Sequence, residues 1–140
     1  MTKKIFVLLI VILLLYACSK EKEKLELFSP EAFAYSMDNG WELNSSCRVR
    51  GFTQIEEEEA FKTKLSFSVD LLTPDNKKLP GVGEGLVDKI ENEKIADIQL
   101  ETQIQLDSTF AIGKYKITFN VTDDLSGNSI SIEKVFELTD

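Results

Sequence analysis

The residue types that ordinarily do chemistry are few in this 140-residue chain, and their spacing does not group them. There is no histidine. A Ser-His-Asp triad, an H-E-x-x-H zinc site and histidine-ligated haem are therefore excluded. The two cysteines are Cys18, which closes an apolar N-terminal run, and Cys47, which falls on the apolar side of an alternating segment. A free cysteine there behaves as a small buried hydrophobe, and no neighbour in sequence would lower its pKa. Glu56, Glu57, Glu58 and Glu59, with Asp123, Asp124 and Asn128, offer oxygen ligands of the kind calcium takes. They lack the D-x-[DN]-x-[DN]-G spacing and read as solvated loops. Gly81, Gly83 and Gly85 make a glycine-rich stretch, but no Lys-Ser/Thr follows, so a loop is expected rather than a phosphate cradle. Carboxylate pairs for glycoside hydrolysis exist in any chain this acidic, and nothing in the spacing sets two across a cleft. Trp41, the sole tryptophan, is expected in the core rather than as a sugar-stacking platform. No catalytic, cofactor-binding or metal-binding residues are assigned, and the chain is expected to be non-enzymatic.

The N-terminus has the most specific pattern. Lys3 and Lys4 precede an unbroken apolar run over residues 5–17. That run is shorter than the about 20 residues a helix needs to cross a membrane, and a basic start before a short apolar stretch reads as a secretory signal peptide. Its end, Leu15-Tyr16-Ala17-Cys18, resembles the lipobox of bacterial lipoproteins. Tyr16 stands where a small residue is more usual. The resemblance implies diacylglyceryl transfer to the Cys18 thiol and cleavage before it, hence a lipid anchor in the cell envelope. Ser19 is compatible with outer-membrane sorting. The run Ser19-Lys20-Glu21-Lys22-Glu23-Lys24 has no apolar side chain and cannot join a core. Residues 1–17 are thus expected to be the signal peptide, and residues 18–39 the lipidated cysteine and its tether. Residues 40–140 are expected to form one folded domain.

Charge narrows the partners. The net charge is −8, and losing Lys3 and Lys4 with the leader takes it to −10. Such a body repels nucleic-acid backbones and anionic lipid headgroups. Membrane contact is expected through the lipid alone.

The rest of the chain must position whatever function it has, and it does so with strands. Residues 25–38 are mixed. An edge strand and a short helix beginning at Ser29-Pro30 both fit. Beyond Asn39-Gly40 the period is two. Trp41, Leu43, Cys47 and Val49 alternate with polar residues, as do Phe61, Leu65, Phe67, Val69 and Leu71, then Ile98, Leu100, Ile104 and Leu106. Tyr115, Ile117, Phe119 and Val121 follow, and Ile130, Ile132, Phe136 and Leu138 close the series. Residues 77–85 read as an irregular loop or short edge, and residues 86–90 as a short strand. Lys134 interrupts the last apolar face, so an edge position or a bulge is expected there. About seven short strands with polar turns predict an all-β antiparallel sandwich.

Phe110, Gly113 and Tyr115, followed by a strand ending Val121-Thr122-Asp123, resemble the last hairpin of bacterial Ig-like and fibronectin-III-like modules. The resemblance implies an Ig-like sandwich in which the Tyr115 hydroxyl bonds back to the preceding corner. Ile117 stands where antibody-type domains carry a cysteine, so no inter-sheet disulfide is implied. Such folds host many functions and imply no activity. The expected function is a membrane-anchored, non-enzymatic binding module for an unidentified protein or polymer of the envelope or outside it. The alternatives are a carbohydrate-binding accessory module, or a structural envelope component or inhibitor of one cognate protein. Glycan binding predicts aromatics lined up on one exposed sheet face, whereas most aromatics here fall at core-facing positions.

Overall fold

The computed structural model describes residues 23–140. The expected signal peptide, Cys18 and most of the charged run lie outside them. Eight strands follow in order: β1 Glu26–Met37, β2 Gly40–Arg50, β3 Ile55–Glu57, β4 Ala60–Leu72, β5 Lys78–Glu91, β6 Asp97–Asp107, β7 Gly113–Asp123 and β8 Ser129–Leu138. All pairings are antiparallel. The first sheet has the order β1-β2-β6; in the second, β7 and the short β3 share one side of β4, β5 takes the other, and β8 follows β7. The chain is an all-β antiparallel sandwich, as its alternation predicts.

One layer of side chains lies between the sheets. Leu43, Val49, Leu65, Val69, Leu71, Ile117, Phe119 and Val121 are all fully buried. Each occupies the inward position of its alternating strand, which is why a period of two suffices to build the core. Inward polar residues need partners there, and the buried Thr63 hydroxyl is one that has none. Ser45 and Thr102 are paired across β2 and β6 and hydrogen-bond each other at 2.6 Å. Trp41 sits at the rim rather than in the interior; it is half-buried, and its Nε1 donates to the carbonyl of Thr139 at 2.9 Å.

The corner before β7 is closed as the sequence resemblance implies. The Tyr115 hydroxyl donates to the Ala111 carbonyl at 2.6 Å, and its ring stacks on Phe136 with centroids 5.5 Å apart. Lys134 lies on the edge strand β8, whose pairing with β7 is unbroken, so no bulge accommodates it. An inward-phased lysine at a sheet margin reaches water without one.

Two segments depart from expectation, and for residues 25–38 the edge strand, one of the two forms that fit, is the one observed. The sandwich begins at β1 and not at residue 40, so residues 26–37 belong to the domain rather than to a tether. Ser29-Pro30 starts no helix. It forms a bulge, with Ser29 at φ +50°, where the missing proline N–H costs no ladder bond. Residues 78–91 make one long edge strand instead of a loop and a short strand. Gly85 is a spacer at a packed face: a Cβ there would stand 2.5 Å from Cζ of Phe67, whose ring fills that place. The Pro80-Gly81 kink is held by Asp70, whose carboxylate accepts from the Gly81 N–H at 2.9 Å.

Two measurements probe this framework. Tyr115→Phe removes one buried hydrogen bond and is expected to lower unfolding free energy by about 1 kcal/mol in urea titrations, with the fold retained. Burial pushes the Cys47 thiol up to about 12, whereas an unfolded thiol ionises near about 8.5. The neutral thiol's contribution is therefore complete below about pH 8.5 and is lost as pH rises toward about 12. The stability of wild type relative to Cys47→Val should fall over that window, and a flat difference would show a thiol that ionises freely in the fold.

Candidate functional site

Most of the residues that the sequence offers for chemistry are committed to structure. Asp123 is buried, and its carboxylate accepts from the Thr53 N–H at 2.7 Å and the Leu125 N–H at 3.1 Å. Asp124 accepts from the Ser66 hydroxyl at 2.9 Å. Glu58 and Glu59 form the tight turn between β3 and β4, both at positive φ. The acidic groups at residues 56–59 and 123–124 therefore serve separate turns, and no cluster of three or more metal-binding side chains occurs among the described residues. Cys47 is a buried free thiol. The glycine-rich stretch is part of β5 and pairs with β4.

The outer faces of the two sheets differ in how their side chains are used. On the second sheet, polar groups satisfy one another. Asn120 donates to Asp70 and accepts from Ser131, Thr122 meets Ser129, and Lys116 pairs with Glu133 at 3.3 Å. On the first sheet ion pairs occupy one end, and farther along only Asn44 donates to Glu42 at 3.1 Å and Gln99 to Glu101 at 2.6 Å. Arg50 bonds Glu26 at 2.8 Å and covers the Phe28 ring at 4.8 Å, while Arg48 pairs with Asp97. The bonded Arg50 guanidinium holds the Glu26 carboxyl below its ordinary value.

The other end of that face is open. Phe33, Tyr35 and Met37 project from β1 with 57%, 56% and 53% of their surface exposed, and neither ring has a stacking partner among the described residues. Beside them the register makes two rows across the sheet: Phe33, Asn44 and Gln103 in one, Tyr35, Glu42 and Gln105 in the next. Strands stand about 4.8 Å apart and same-face residues about 7 Å apart along a strand. Each ring is thus flanked by an amide or a carboxylate and then a glutamine. A shallow hollow beside Phe33 continues over Ser46, Glu101 and Gln103.

This surface exists because of the bulge. From Phe28 to Glu31 the chain advances three residues on β1 while its partner on β2 advances two, from Arg48 to Ser46. The extra residue inverts the side-chain phase. Without it, Phe33, Tyr35 and Met37 would continue the inward face of Leu27; with it, Ala32 and Ala34 face the core and the large side chains face water. Sequence reasoning missed these residues because their alternation matches a buried face. The available signal was Ser29-Pro30, a pair suited to a bulge, followed by small residues at every second position.

The domain's entry point lies elsewhere. Lys24 and Leu25 pass against Gly51 and beside the loop after β7, in a hollow that Asp123 and Asn128 also line. Because β1 runs away from this end, Tyr35 lies roughly 30 Å along the strand from it.

No family model and no curated protein matches the chain. Among solved structures it is similar to part of a family 123 glycoside hydrolase from Clostridium perfringens, with a TM-score of 0.49 and 15% identity, covering 72% of this chain and 21% of the hydrolase. It is also similar to the X-ray structure of a Northeast Structural Genomics Consortium target, with a TM-score of 0.40 and 14% identity, covering 86% and 88% of the two chains. The chain spans about a fifth of the length of the hydrolase it matches, and these likenesses carry no activity, substrate or partner over to it.

Proposed function

We propose that the chain is a membrane-anchored, non-enzymatic binding module of the cell envelope, tethered through Cys18, with the open end of the β1-β2-β6 face as its ligand-contacting surface. The observation that carries the binding reading is the exposed line of Phe33, Tyr35 and Met37, beside the exposed amides of Gln103 and Gln105, on a face whose other end is locked by ion pairs. A soluble domain gains nothing in stability from aromatics turned to water, and such groups mark recognition surfaces when polar residues rim them. The anchor reading rests on the lipobox-like residues 15–18 and the charged run after them. The chain's entry at the end remote from Tyr35 supports both: an anchored domain would hold this face away from the bilayer.

Two experiments test the reading. In cells expressing the tagged full chain, the wild type is expected in the membrane fraction and Cys18→Ala unprocessed or released; equal fractionation of the two removes the anchor. Protease added to intact cells then reports which side of the outer barrier the domain faces. For the surface, Tyr35 is replaced by the photo-cross-linking p-benzoylphenylalanine, and Glu133 on the opposite sheet likewise. Adducts are expected from position 35 and not from position 133. Silence at position 35, or equal adducts at both, would overturn the assignment of this face.

A further inference from the structure

We propose that the open face binds a neutral glycan chain, with Phe33 and Tyr35 as stacking surfaces for pyranose rings and Asn44, Gln103 and Gln105 as hydrogen-bonding groups. This rests on the reading of that face as the contact surface and names its ligand class.

The chemistry of the rows favours a sugar. A pyranose ring presents a face of C–H groups and a rim of hydroxyls that each donate and accept. An aromatic ring supplies the matching flat, electron-rich face. An amide side chain supplies a donor and an acceptor on one group and so serves a hydroxyl in either sense. Each row sets these elements side by side, ring first, then an amide in one row and a carboxylate in the other, then a glutamine, at the strand spacing of about 4.8 Å. The apolar strip is one strand wide, whereas the core of a protein–protein interface is a broader patch with aromatic and arginine anchors seated in pockets. Phe33 and Tyr35 sit on a flat sheet, and both arginines of this face are engaged by Asp97 and Glu26.

Charge narrows the class. With those arginines neutralised, Glu31, Glu42 and Glu101 leave the open end negative. An anionic polysaccharide or a second copy of the same face would meet repulsion, and a neutral chain would not. Carboxylates accept strongly from hydroxyls, so the same residues add to the binding of a neutral sugar. The face has no end wall at the rings, which suits an internal stretch of a chain rather than a terminal residue.

The full chain, purified in non-ionic detergent, is run in native gels containing a β-1,4-glucan, a β-1,4-xylan, an α-mannan or a polyuronate. At least one neutral polymer is expected to retard it. Phe33→Ala and Tyr35→Ala should each weaken retardation about tenfold, a loss of about 1.4 kcal/mol, and Gln103→Ala several-fold. Leu86→Ala, on the other sheet, should not change it. The substituted rings are more than half exposed, so circular dichroism and melting curves should match wild type. Mobility unaffected by all three neutral polymers, retardation by the polyuronate alone, or retardation that survives loss of both rings would overturn the proposal. If the gels are silent while p-benzoylphenylalanine at position 35 still yields a protein adduct, the contact face stands and the glycan falls. If both are silent, both readings fall.

Discussion

A single layer of apolar side chains, shared by two sheets, holds this domain together. Strands β2, β4 and β7 supply its centre, and their inward residues are the most completely buried in the molecule. No disulfide reinforces that layer among the described residues, and Cys47 lies within it as one more small hydrophobe. Stability therefore rests on packing. Gly85 shows how closely the layer is fitted, since its missing side chain is the space that Phe67 occupies.

Most of the polar groups that the layer cannot exclude are given a partner at its margins, the buried Thr63 hydroxyl being the exception. Tyr115 reaches back to Ala111 at one corner, Asp123 receives two backbone N–H groups at the opposite end of β7, and Ser45 and Thr102 bond each other between the sheets. Burying such groups without partners would cost a few kcal/mol each. The same demand explains why so many carboxylates have no chemistry to offer. Asp70, Asp123 and Asp124 are occupied with turns, kinks and neighbouring strands.

Alternation made much of this legible in advance. The inward residues of β2, β4, β6 and β7 follow from period two alone, and the tyrosine at the start of β7 announced its corner. The rest depended on departures from that period. β5 carries a proline and three glycines on an edge: Gly83 and Gly85 face side chains of other strands, Gly81 takes a positive φ at the kink, and a sequence does not show what fills a gap. β1 was undecided for a related reason: its large residues alternate as if buried, and only the count of residues between two pairing partners shows that they are not. The exposed face depends on that count, so composition and spacing gave no direct sign of it.

The bulge at Ser29-Pro30 acts on β1 as a frameshift acts on a message. The strand is written in two alternating letters, inside and outside, and one extra residue changes the frame for everything downstream. Ala32 and Ala34 are read as interior and Phe33, Tyr35 and Met37 as exterior for that reason alone. A point substitution in this strand edits one letter. A one-residue insertion or deletion at the bulge would rewrite the outer surface of half the strand at once, trading a wet aromatic face for alanines and forcing the rings into a core with no room for them. This face can thus be gained or lost in a single genetic event, and its existence depends more on the length of the chain at this position than on which residues stand there.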